Sequence, residues 1–199
     1  MTFNELQKKR RSIYQLGDKL TQTPEEIHHM VNEALREAPS AMNSQSVRVL
    51  VLTGDSHKKL WDMTLDRLKA VAKSEEAFAK TAAKINGAFK SGFGTVLYFT
   101  DTSVVTDLEE AFPAYADNFY DWSEQAIGIS TYAVWLTFAE NGIGTSNQHY
   151  NPLIDADVAR EFDVPDTWKL RAEMPFGSIE GPAGEKDYIE DSVRSRLLK

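Results

Sequence analysis

The sequence predicts one α+β domain, and three observations carry that reading. Residues 46–53 and 95–100 are continuous β-branched and apolar runs, as expected of buried strands. Residues 168–174 alternate Trp168, Leu170, Ala172 and Met174 with Lys169, Arg171 and Glu173. Between these runs lie segments of helical periodicity, and no repeat, low-complexity tract or linker divides residues 1–199.

Thr2 with Glu5 forms a capping box, so a first helix is expected to run to about Arg11. Thr23-Pro24-Glu25-Glu26 opens a second: threonine caps, proline sits at the first helical position, and the glutamate returns the bond. Ile27, Met30, Val31, Ala34, Leu35 and Ala38 then recur at helical spacing until Pro39. Strand 46–53 follows, closed by a turn at Gly54-Asp55. Helices are expected over about 56–72 and 74–90, the second with Ala77, Phe78, Thr81, Ala82, Ile85 and Phe89 on one face.

Strand 95–100 leads into an irregular acidic and aromatic stretch. Residues 122–140 are apolar almost all round, so that helix should be buried on most sides. Its cover is either a partner subunit or a sandwich between the sheet and other helices. Asn141-Gly142 stops it, Asn151-Pro152 opens a short helix to about Phe162, and the alternating strand comes last.

A net charge of −8 argues against nucleic acid as a partner, although Lys8-Lys9-Arg10-Arg11 is a local basic run. With no cysteine, the chain has no disulfide, thiolate nucleophile or Cys-ligated metal. No segment approaches 18 uncharged apolar residues, and the start lacks a signal-peptide layout, so a cytoplasmic protein without membrane partners is expected.

Several motifs fail on context. Gly92-Phe93-Gly94 precedes a strand and Gly142-Ile143-Gly144 follows a helix. A dinucleotide fingerprint needs a strand before, a helix after and a third glycine. No phosphate loop is present, and Gly128-Ile129-Ser130-Thr131-Tyr132 lies inside a helix without the last glycine of a hydrolase elbow. His28 and His29 point about 100° apart on a helix, so no metal site is expected.

Two guanidiniums and a hydroxyl at Arg10-Arg11-Ser12 suit a phosphate, because planar forks bind it bidentately. They equally suit the negative end of a helix. Together with Ala38-Pro39-Ser40-Ala41-Met42-Asn43-Ser44-Gln45 and Glu140-Asn141-Gly142-Ile143-Gly144, they resemble the nitroreductase family in its shorter branch. Met174-Pro175-Phe176-Gly177 and Gly181-Pro182 extend the resemblance over most of the chain.

The resemblance implies a mostly antiparallel central sheet flanked by helices, an intertwined homodimer, and bound FMN. Arg10, Arg11 and Ser12 would hold the phosphate and ribityl chain, with Lys186 completing the phosphate site. Ser40, Asn43 and Gln45 would reach the flavin from the other subunit, where an amide matches its donor and acceptor edge. Gln148, His149 and Tyr150 would lie beside flavin N5, and Asn86 would stand where the family uses a flavin-contacting asparagine. Departures accompany these matches. Ser46-Val47 replaces the usual Pro-Trp, Tyr14 stands where a basic residue is common, and the run 148–152 replaces Glu-Gly, so no cation is assigned to reduced flavin N1.

The implied activity is NAD(P)H-dependent reduction of nitroaromatics, quinones or similar flat acceptors by a ping-pong hydride mechanism with no obligatory side-chain acid or base. Phe112, Tyr115, Phe119, Tyr120 and Trp122 either cover the slot or pack the irregular stretch onto the core. His149 is either a proton donor or a structural hydrogen-bonder. The alternatives are a flavin-binding regulatory or storage protein with little turnover, and a helical interaction module without a cofactor.

Overall fold

The computed structural model describes residues 1–199. Helix α1 (Phe3–Lys9) and helix α2 (Pro24–Arg36) both begin with the expected reciprocal capping boxes, Thr2 with Glu5 and Thr23 with Glu26. Strand β1 (Leu16–Gly17) lies between them. Strand β2 (Val47–Thr53) runs straight into α3 (Gly54–Val71), followed by α4 (Glu75–Ala88) and β3 (Gly94–Asp101). Then come α5 (Thr102–Ala111), α6 (Ala116–Glu140), β4 (Gly144–Thr145), α7 (Asp155–Glu161), β5 (Trp168–Ile179) and α8 (Asp191–Arg194).

The five-stranded sheet runs β1-β5-β3-β2, with β4 also on β5, and every strand pair is antiparallel. Helices cover both faces. On one, Ile27 and Val31 of α2 and Ile127, Val134 and Phe138 of α6 pack against Val96, Tyr98, Ala172 and Met174. On the other, Leu60 and Trp61 of α3, Ile85 of α4 and Val158 of α7 meet Leu97, Phe99 and Leu170. This two-sided cover is why β3 is buried at every residue and reads as an unbroken apolar run. The helix 122–140 is therefore sandwiched by sheet and α2, although Ile129 and Tyr132 stay exposed. No helix is long and apolar enough to cross a membrane.

Four expectations are corrected. The stretch after β3 is not irregular: Asp101 caps α5 by accepting from the Ser103 amide, and α6 begins at Ala116, six residues early. Asp107 and Glu110, both exposed, and half-buried Glu109 dilute the periodicity of that segment. Gly54 is the first residue of α3 rather than a turn, taking a positive φ of 56° that glycine tolerates. Residues 151–154 form a turn with a cis Asn151–Pro152 peptide, and α7 starts only at Asp155. Glu173, on the polar side of the alternation, is fully buried because β5 is central and continues to Ile179.

Candidate functional site

The outer edge of β5 carries the candidate site. Arg10 ends α1, its backbone N–H closing on the Leu6 carbonyl. Its guanidinium lies 4.6 Å from the centroid of the Trp135 ring of α6, and its Nε is buried without a partner. Arg11 donates to the Gly184 carbonyl in the C-terminal segment. Ser12 forms a parallel bridge with Thr145 of β4, and the Ile13 amide donates to the Thr145 carbonyl at 2.9 Å. The three phosphate candidates therefore sit against the strand that leads into residues 146–150.

Beyond β4 the chain stays on β5 for one more pair. The Gln148 amide donates to the Glu173 carbonyl at 2.7 Å, and the Glu173 amide returns the bond at 3.0 Å. A continued antiparallel ladder would next take Tyr150 to the Arg171 carbonyl. Instead the Tyr150 amide donates to the Glu173 side-chain carboxyl at 2.8 Å, and the Arg171 carbonyl accepts from His149 Nδ1 at 3.0 Å. Because a carbonyl only accepts, Nδ1 carries the proton. Nε2 then faces the Asn147 amide nitrogen at 3.4 Å as an acceptor. Arg171 also stands at the register shift of β5, which skips it between Leu170 and Ala172 opposite Phe99 and Tyr98.

Glu173 was not singled out in the sequence. Burial pushes its carboxyl up to about 8, with nearby Asp155 adding to the shift, and its Oε1 has no partner. The Tyr150 ring is turned inward onto Trp61 and Phe89, at centroid distances of 5.8 and 6.5 Å. Burial raises that phenol too. A charged residue on a strand normally reads as solvent-facing, so only the apolar flanks of Glu173 hinted at its burial.

The loop 40–45 is built differently. Met42, Asn43 and Gln45 all take positive φ, 52°, 52° and 48°, which L-residues adopt at a cost of about 1 kcal/mol each. Ser40 Oγ accepts from the Gln45 amide at 2.9 Å, and Arg48 donates to the Gln45 carbonyl at 2.7 Å. Ser40 and Gln45 line a 370 Å³ cleft with Arg36, Arg48 and Ser130, and neither bonds to residues 10–12 or 148–150 of the same chain.

Asn86 is exposed on α4, and Lys186 lies 4.8 Å from the Tyr188 ring in the C-terminal segment; neither touches another predicted site residue. A cation that sequence reading passed over stands nearby. Lys84 of α4 places its Nζ 5.9 Å from the centroid of the Tyr14 ring, beside the position that lacks the expected basic residue. Phe112, Tyr115, Phe119 and Trp122 pack on one another where α5 turns into α6, with Phe119 edge-on to Trp122 at 5.1 Å and Tyr115 tilted on Trp122 at 6.3 Å.

The sequence model described as the nitroreductase family matches residues 8–178. The HBN1 protein of Saccharomyces cerevisiae is 34% identical over 187 residues, 92% of this chain and 91% of that protein. The nitroreductase CinD of Lactococcus lactis, solved in complex with nicotinic acid, superposes with a TM-score of 0.92 at 47% identity, each chain fully covered. A nitroreductase of Desulfitobacterium hafniense with bound FMN shares the fold at 18% identity, with a TM-score of 0.72 and both chains fully covered. A sequence match over most of the chain and a fold shared end to end agree: the chain belongs to the nitroreductase family of oxidoreductases.

Proposed function

We propose that this protein is an FMN-dependent oxidoreductase that uses NAD(P)H to reduce nitroaromatics, quinones or similar flat acceptors, working as a homodimer in the cytoplasm. The observation that carries the reading is the edge of β5, where Arg10, Arg11 and Ser12 adjoin the strand running to Tyr150. The donor set fits FMN. Arg10 keeps a buried Nε with no partner, and Arg11 spends a donor only on a neutral carbonyl, so both remain available to a phosphate dianion. Bound there, FMN would supply the hydride-accepting and hydride-donating chemistry.

The chain's own residues orient and neutralise. Arg10, held over the Trp135 ring, and Arg11 bind the phosphate, with Lys186 as a third cation and Ser12 on the ribityl chain. Gln148, His149 and Tyr150 line the side proposed for N5, where the Gln148 and Tyr150 amides are already bonded to Glu173 and the His149 amide has no acceptor in the chain. Lys84 brings positive charge beside Tyr14 for the anionic side of the reduced ring, in the place of the missing basic residue. Asn86, two residues further along α4, is assigned to the flavin from the family resemblance alone. Ser40, Asn43 and Gln45 act on the site of the other subunit, which suits their lack of any bond to residues 10–12 within one chain.

Two surfaces support the homodimer. A 600 Å³ apolar cleft between α2 and α6 is lined by Phe3, Met30, Ala34, Ile129, Tyr132 and Leu136, among others. The C-terminal segment exposes Ile189, Val193, Leu197 and Leu198, the last at 89%. CinD has been crystallised with chloramphenicol and with 4-nitrophenol, both of which carry a nitrophenyl group, and this suggests the acceptor class.

The test is the absorption spectrum of the purified protein with added FMN, followed by steady-state oxidation of NADH and NADPH with a quinone or nitroaromatic. A two-band flavin spectrum and ping-pong turnover are expected. A protein that takes up no FMN overturns the reading. Bound FMN without turnover by either nucleotide makes it a flavin-binding regulatory or storage protein instead.

A further inference from the structure

Residues 146–150 form an edge whose amides alternate in direction, as in any strand. Ser146 donates to the Pro175 carbonyl at 3.4 Å and Gln148 to the Glu173 carbonyl at 2.7 Å, both toward β5. His149 points the other way, and its amide has no acceptor in the chain. Tyr150 is the decisive residue. Its amide is taken by the Glu173 carboxyl, a side chain standing in for the Arg171 carbonyl that a regular ladder would use.

That substitution has two effects. It draws the backbone at Tyr150 over β5 while the phenol ring is anchored among Trp61 and Phe89. It also frees the Arg171 carbonyl for the His149 imidazole, which fixes the ring on the β5 side while its own amide looks outward. Of the three consecutive amides 148–150, two are therefore consumed by Glu173, one by its backbone and one by its side chain.

We infer that Glu173 is a positioning residue for the flavin, holding residues 148–150 so that the His149 amide alone is presented to N5. The inference rests on the flavin reading above and narrows it: Gln148 and Tyr150 frame the donor and do not donate to the ring system. Glu173 never touches the cofactor. It acts through the Tyr150 amide, from a fully buried carboxyl whose Oε1 has no partner.

The experiment is residue-resolved amide hydrogen exchange on the whole protein with and without FMN, paired with the midpoint potential and dissociation constant of FMN for Glu173→Gln and Glu173→Leu. In the wild type, Gln148 and Tyr150 amides should be protected before FMN is added, and the His149 amide should slow at least tenfold only after it. Glu173→Gln keeps an acceptor oxygen, so Tyr150 protection, potential and FMN affinity should stay close to wild type. Glu173→Leu removes it, so Tyr150 protection should be lost, the potential should move, and FMN should dissociate at least tenfold more readily.

FMN bound by the wild type with no change at His149, or with new protection at Gln148 or Tyr150, overturns the inference and leaves the flavin reading intact. Wild type that takes up no FMN overturns the flavin reading itself. Where Glu173→Leu does not fold, Glu173→Asp, one methylene too short to reach Tyr150, decides: wild-type potential and exchange in that variant overturn the role.

Discussion

Arg10 lies over Trp135: the guanidinium carbon is 4.6 Å from the ring centroid, while the buried Nε of the same group has no hydrogen-bond partner. A cation held over an indole has lost rotamer freedom before any anion arrives. Arg10→Lys keeps the charge and loses the plane, so FMN should bind about tenfold more weakly. Arg11→Ala, which removes a fork not fixed by an aromatic, should weaken it by about tenfold or more. Fluorescence titration of the apoprotein with FMN measures both. Unchanged retention in Arg11→Ala would remove it from the phosphate site.

Lys84 makes a separable prediction, since it touches only aromatic faces, Tyr14 at 5.9 Å and Phe89 at 5.5 Å. Lys84→Met should leave the fold intact and lower the two-electron midpoint potential of bound FMN by about 30 mV, the equivalent of ~1.4 kcal/mol. A dye-equilibration titration reads this directly, and an unaltered potential would return Lys84 to the solvent.

Glu173 should tie stability to pH. Its folded-state value of about 8 lies above the ordinary 4.5, so its contribution is full below pH 4.5 and is lost as pH rises toward 8. The slope is at most about 1.4 kcal/mol per pH unit. His57, pushed down to about 4 by burial, tilts the other way: its contribution is present above pH 6.5 and is lost as pH falls toward 4. Urea unfolding of wild type and Glu173→Gln at pH 5 to 8 separates the two. The stability difference, wild type minus variant, should shrink steadily with rising pH, and a constant difference would contradict the assignment.

The exposed tail predicts its own phenotype. Burying Leu197 and Leu198 against another copy would contribute about 1.5–3 kcal/mol each at most. Leu197→Ser combined with Leu198→Ser should therefore raise the dimer dissociation constant by roughly a hundredfold. Sedimentation equilibrium measures it, and an unchanged dimer would place the interface on the α2 and α6 cleft without the tail.

Much of this architecture was legible because long elements advertise their period. The capping boxes at Thr2 and Thr23 and the apolar run of β3 fixed three elements to within a residue or two of their observed starts. Strands of two residues, Leu16–Gly17 and Gly144–Thr145, carry no period at all, and their existence depends on partners near residue 178. At the candidate site, residue type was informative where chemistry is unusual, as in Arg10-Arg11. It was silent for Glu173, whose role depends on a ladder that breaks at Tyr150. Tertiary geometry also decides that Lys84 stands beside Tyr14, 70 positions away in sequence.

The sheet order also sets a timetable. Leu16 pairs with Ile179, and Gly17 approaches Gly177 so closely that a Cβ there would lie 2.1 Å from the Gly17 carbonyl oxygen. During synthesis, Arg10, Arg11 and Ser12 leave the ribosome well before the strand that seats their neighbours. Closing a loop of that length costs entropy that only β5 repays. The nascent chain must therefore carry its basic run Lys8–Arg11 unplaced until β5 has been made, and the proposed anion site can form only after that strand has joined the sheet.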